Sequence, residues 1–269
     1  MRLLALALLL VAARDPDVPA PKGTRRLPPP APGEWRWTFP EEGQTFAEYQ
    51  ASGPVRPTAE RKLIYLAPFL TRPPRDPDLL AMIGSVLGPA YHAEVRILPP
   101  RPLPSGAYVP SRRQVSALAL APHLVADLPR DALFVLAVTD RDLFVGDLSR
   151  AFGWGSLSLR VGVLSTARIG AEDDPSLARR RTLTLALHET GHLLSLPHCT
   201  FYRCLMNGAL TMKEADARPA TLCPVCRAKL CWNLGVDAAA RERALSGGFS
   251  RAGMTADAED ALTAAETKG

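Results

Sequence analysis

All five cysteines and three of the five histidines of this 269-residue chain fall between residues 188 and 231. No cysteine occurs before Cys199, and only His92 and His123 lie outside that window. This clustering constrains the fold more than composition does, because metal-binding side chains must meet in space and so dictate which segments come together. An odd, crowded set of thiols is a poor disulfide framework for a chain this long, whereas short paired spacings suit a metal.

Residues 183–196 read LTLALHETGHLLSL, a leucine- and alanine-rich stretch expected to form a helix packed into the core. Within it, His188 and His192 are four residues apart, about one helical turn, so both imidazoles leave the same face. Two neutral imidazoles there can hold one Zn²⁺, with Glu189 beside the first to act on a metal-bound water. His198 follows Pro197 just past the expected helix end, and a chain reversal would return it to the same metal. Cys199 and Cys204 form one short pair and Cys223 and Cys226 (C-P-V-C) another, the spacing of a closed four-thiolate zinc site. Neighbouring side chains in extended backbone point to opposite sides. His198 and Cys199 are therefore expected to serve two zincs across one shared loop. Cys231 is left over as a small buried residue, and His92 and His123 read as ordinary histidines.

The rest of the chain supplies a scaffold. Residues 62–69 and 132–139 are apolar strand-like runs, and residues 92–98 alternate as a strand should. Helices are expected over 78–87 and from Ser111, as N-cap, to about residue 127. The order strand, helix, strand, helix, strand predicts an α/β domain with a largely parallel sheet, followed by short strands at 154–158 and 160–165. Residues 14–33 are proline-rich and read as an extended linker. The domain proper is expected over 34–236, beginning with an aromatic arm (Trp35, Trp37, Phe39, Phe46, Tyr49), and residues 237–269 as a short helix with a disordered end. Residues 1–13 resemble a secretory signal peptide, although a reduced four-cysteine zinc site sits more comfortably in the cytoplasm. That run is too short to span a bilayer, so no stable membrane insertion is expected. The net charge of +5 comes from scattered arginines, with only Lys22, Lys62, Lys213, Lys229 and Lys268 as lysines. Without a basic run, nucleic acid is not an expected partner.

Together, HETGHLLSLPHCTFYRCLM and the later CPVC resemble the archaemetzincins, zinc metallopeptidases of the metzincin clan. The segments FPEEGQTF, KLIYLAPF, AVTDRDLF and VGVLSTARI resemble the same family, especially its animal-like members. The likeness covers about residues 35–236. It implies a metzincin-like mixed, largely parallel sheet with an active-site helix and a zinc-stapled C-terminal subdomain. It also implies hydrolysis of peptide or protein substrates, with two zincs per chain. His188, His192 and His198 would bind the catalytic zinc, with Glu189 as general base and acid. Cys199, Cys204, Cys223 and Cys226 would bind the structural zinc, and Met206 would form the Met-turn beneath the metal. The strand at 154–158 would be the cleft edge that pairs with an extended substrate. Tyr202 is the phenol nearest in sequence for stabilising an oxyanion. The family usually has glycine where this chain has Ser195, so serine must either adopt the left-handed conformation at a cost of about 1 kcal/mol or alter the turn. Two other classes remain open: a two-zinc protein of the same fold that binds peptides without cutting them, and a zinc-ribbon-like interaction module. A glutamate between zinc ligands argues against the second.

Overall fold

The computed structural model describes residues 15–73, 77–170 and 174–266. The signal-like residues 1–13 lie outside these. The arm carries α1 (Trp35–Thr38) and α2 (Phe46–Ala51). There follow β1 (Leu63–Phe69), α3 (Leu79–Tyr91), β2 (Val95–Ile97), β3 (Tyr108–Val109), β4 (Gln114–Ser116), α4 (Ala117–Ala126) and β5 (Ala132–Thr139). After β6 (Leu143–Phe144), β7 (Gly153–Gly155) and β8 (Val161–Ser165) come α5 (Pro175–Leu193), α6 (Met212–Asp216), α7 (Pro224–Leu234), α8 (Ala238–Arg251) and α9 (Thr255–Glu266).

The main sheet has the order β2-β1-β5-β8-β7. Its first four strands are parallel and β7 is an antiparallel edge. Every residue of β1, β5 and β8 is buried, as expected of strands covered on both faces. The alternation sorts them cleanly. Ile64, Leu66, Phe134 and Leu136 pack with Ile83 and Leu87 of α3 and Leu183 and Leu187 of α5. Leu63, Tyr65, Val135 and Ala137 pack on the other face with Leu120 and Leu124 of α4. The largely parallel α/β reading of the sequence is thus observed, and it suspends α5 beneath the edge strand β7.

Three expectations are corrected. The helix assigned from Ser111 begins instead at Ala117, because Ser116 is the N-cap and its hydroxyl accepts from Ala119 N. Residues 114–116 are meanwhile held in β4, paired with β6. Beyond residue 236, in place of a short helix and a disordered end, lie two helices, α8 and α9. Leu245, Phe249, Ala258 and Ala261 are buried there, and small residues permit close packing: Gly248 lies against the backbone of Ser85 in α3. Finally, the proline-rich linker is extended but pinned down. Leu27 N donates to Phe201 O, Arg203 N donates to Arg25 O, and Asp17 accepts from the first amides of α2.

Candidate active site

Helix α5 starts at Pro175, where the Asp174 side chain accepts from Leu177 N. It stops in a Schellman arrangement, with Ser195 N donating to His192 O and Leu196 N donating to Gly191 O. That geometry needs a left-handed residue, and Ser195 takes it with φ 64°. Its hydroxyl donates to Leu157 O (2.6 Å) and accepts from Val55 N (3.0 Å). The turn is therefore of the glycine type, with serine adding two hydrogen bonds that glycine lacks.

The turn sends the chain back past His198, and His188, His192 and His198 present ring nitrogens within 4.8 Å of one another. Each ring is oriented through Nδ1. His188 meets Leu205 O at 2.8 Å, His192 meets Leu196 O at 2.7 Å, and His198 meets the Glu41 carboxylate at 2.8 Å. An imidazole that donates from Nδ1 keeps a lone pair on Nε2. Burial, followed by the nearby Arg218 charge, holds His188 well below the usual histidine range, and burial pushes His192 down to about 3. Both rings therefore remain neutral, as metal ligation requires. Two nitrogens bound to one tetrahedral Zn²⁺ at about 2.1 Å lie about 3.4 Å apart, and the His188 and His192 Nε2 atoms are 3.2 Å apart. Facing lone pairs at that distance repel unless a cation lies between them, so the donor set fits zinc.

The second cluster lies one residue further on. Sγ atoms of Cys199, Cys204, Cys223 and Cys226 are all within 4.8 Å of one another, and Cys199 and Cys223 are 3.6 Å apart. Thiolates about 2.3 Å from one tetrahedral zinc would be separated by about 3.8 Å. All five cysteines are free and buried, with Cys231 outside the cluster. Cys204 Sγ accepts from Met206 N and Cys223 N, and Cys223 caps α7, whose N-terminus favours negative charge. Hydrogen bonds from its neighbours pull the Cys199 thiol down, whereas burial pushes Cys204 up. Without a cation the pocket favours a thiolate at one sulfur and opposes it at another; a divalent metal removes that conflict.

Glu189 faces a cavity of about 540 Å³ lined by the three histidines, Trp35, Glu41, Phe152, Trp154, Leu185, Leu210 and Arg218. Burial raises its carboxyl to about 8, against the opposing influence of Arg218. Glycines permit close approach here. A Cβ on Gly153 of β7 would stand 2.5 Å from Glu189 Cγ, and one on Gly191 would stand 2.5 Å from Met206 Sδ. The G of HETGH thus makes room for the methionine beneath the histidines. Tyr202 does not line this cavity; it is buried beneath Arg26. The sequence reading missed Glu41 and Arg218, which reach the site from 157 and 30 residues away respectively, measured from the histidines they meet. No local spacing signals either one.

The chain is 31% identical over 165 residues to an archaemetzincin of Natronomonas pharaonis, an alignment covering 57% of this chain and 94% of that protein. The chain belongs to the archaemetzincin family. The profile of peptidase family M54 matches residues 123–231. Archaemetzincin-2 of Pongo abelii is 28% identical over 260 residues, covering 80% of this chain and 71% of the relative. The crystal structure of an archaemetzincin from Methanopyrus kandleri superposes with a TM-score of 0.57 at 28% identity, covering 66% of this chain and 98% of that one. This archaemetzincin is accordingly a zinc metallopeptidase. Among its described residues no helix is long and apolar enough to cross a membrane.

Proposed function

We propose that His188, His192 and His198 hold the catalytic zinc through Nε2, that Cys199, Cys204, Cys223 and Cys226 hold a second, structural zinc, and that Glu189 is the general base and acid of peptide hydrolysis. The observation that carries this reading is the engagement of all three Nδ1 atoms with oxygen acceptors, which leaves three Nε2 atoms free on one cavity wall. Bound zinc supplies Lewis acidity toward the scissile carbonyl and toward water. Glu189 accepts a proton from the attacking water and passes it to the leaving amine. Burial raises its carboxyl, and a divalent cation bound beside it would favour the ionised form that accepts the proton. The outer edge of β7 offers unpaired backbone groups to an extended peptide, which would add as a further strand above Glu189. Met206 supports the imidazoles from below, and the Glu41 carboxylate fixes the His198 ring.

Elemental analysis of purified protein tests both centres. Two zincs per chain are expected, falling to one in His188→Ala and to one in Cys223→Ser. Glu189→Gln should keep both zincs and lose peptide cleavage. Continued cleavage by that variant would remove Glu189 from its role, and a full zinc complement without any cleavage by the native chain would favour a peptide-binding protein of the same fold.

A further inference from the structure

Arg218 is a cation buried in the wall of the reaction cavity without a carboxylate bound to it. It is 5% exposed, and it lines the cavity beside Leu185, His188, Glu189 and Leu210. A buried guanidinium normally has a carboxylate partner, because an uncompensated charge is costly to desolvate. Here Nε donates to Ala215 O at 3.3 Å, and Nη1 donates to Asn207 O at 2.8 Å. The neighbouring acids are engaged elsewhere: Glu214 accepts from Trp35 N and Leu210 N, and Asp216 pairs with Arg181. Glu189 acts on Arg218 only through its charge. Nη1 also approaches His188 Nδ1 at 3.0 Å. When Nδ1 donates to Leu205 O so that Nε2 can face a metal, it has no lone pair for Arg218. Both Nη1 hydrogens are nonetheless directed at protein atoms, Asn207 O and the His188 ring, whereas Nη2 has no acceptor among the described residues. An Nη2 group on the cavity wall with no acceptor in the protein can donate charge-assisted hydrogen bonds to a carboxylate.

We propose that Arg218 is a substrate-binding residue that takes a carboxylate of the peptide next to the scissile bond, so that this peptidase favours substrates acidic at that point. The carboxylate belongs either to an aspartate or glutamate side chain or to a free C-terminus; both have the same chemistry. The inference rests on the proposed assignment of His188, His192, His198 and Glu189. It explains why an arginine is buried here at all. With no substrate in place no carboxylate is hydrogen-bonded to it, and a neutral substrate leaves it so, while an acidic one supplies that bond. Discrimination between a partnered and an unpartnered buried group is steep, because the penalty falls on the wrong substrate.

The test uses the zinc-loaded full chain and a peptide mixture, with cut sites read by mass spectrometry. Paired peptides then differ only in glutamate against glutamine beside the cut bond, or in a free against an amidated C-terminus. At least a tenfold higher kcat/KM for the carboxylate member of one pair is expected, and which pair responds identifies the source. In Arg218→Met that ratio falls to about one, and in Arg218→Lys, which keeps the charge without the fork, it falls part-way. Binding is measured separately with N-acetylglutamate α-amide and its uncharged glutamine counterpart. The charged ligand should bind more tightly to the native protein and lose that advantage in Arg218→Met. Cleavage of acidic and neutral peptides at equal rates by the native protein overturns the proposal while leaving the peptidase intact, as does a preference that survives Arg218→Met. Preferential binding of the charged ligand without cleavage of any peptide would uphold the subsite and overturn the peptidase assignment.

Discussion

Replacing Ser195 separates two opposing contributions at the end of the active-site helix. The residue holds φ at 64°, a conformation that costs a non-glycine residue about 1–2 kcal/mol. Against this stand the hydrogen bonds from its hydroxyl to Leu157 O and from Val55 N, each contributing about 0.5–1.5 kcal/mol, or about 1–3 kcal/mol together. Ser195→Ala removes both bonds and keeps the strained backbone, so it should destabilise by about 1–3 kcal/mol. Ser195→Gly loses the same bonds but relieves the strain, less the about 0.5–1 kcal/mol by which glycine favours the unfolded chain. It should therefore lie about 1 kcal/mol above the alanine variant. The order native, glycine, alanine is read from denaturant unfolding of the zinc-loaded proteins at a fixed zinc concentration. A glycine variant more stable than the native protein would refute the compensation argument, as would an alanine variant equal to the native. Both variants should also loosen the cleft, because Leu157 follows the edge strand that faces the active site.

Other predictions follow from contacts already described. Gly191→Ala drives a methyl into Met206 and should cost about 1–3 kcal/mol of overpacking, seen as a fall in Tm. Gly153→Ala displaces Glu189, so kcat should drop by roughly 10²-fold, the lower end of a general base's contribution, with zinc content unchanged. Glu41→Ala frees the His198 ring and should weaken zinc at the histidine site by about 10–100-fold in chelator competition, leaving the cysteine site unaffected. Stepwise chelation should remove the cavity zinc first with little loss of folded structure, and the cysteine zinc later together with a large fall in Tm.

How far the sequence could be read depended on the range of the contacts involved. His188 and His192 share a helix face and Cys223 and Cys226 share a turn, so spacing alone brought their side chains together. His198 and Cys199 needed only the alternation of an extended peptide. Both side-chain clusters emerged because every member lies within 38 residues of the first. Strands β1, β5 and β8 were legible because continuous apolar runs have few alternatives to a buried sheet. Helix α4 was started too early because Ser111 and Ser116 are equally good caps in isolation. Only the pairing of β4 with β6 decides between them. Helices α8 and α9 looked too polar to fold, yet a few buried side chains and close backbone contact with α3 suffice. Glu41 and Arg218 could not be inferred, since each acts through a tertiary contact with no local counterpart.

The hydrogen bond between Glu41 and His198 spans 157 residues, which gives it a meaning during synthesis. At about 5–20 residues per second, roughly ten to forty seconds separate the translation of Glu41 from that of Cys226. Throughout that interval the ribosome carries an arm with nothing to orient, and the hydrolytic centre does not exist. Release of the chain before residue 226 would leave the four-cysteine group incomplete and the loop that carries His198 without its staple.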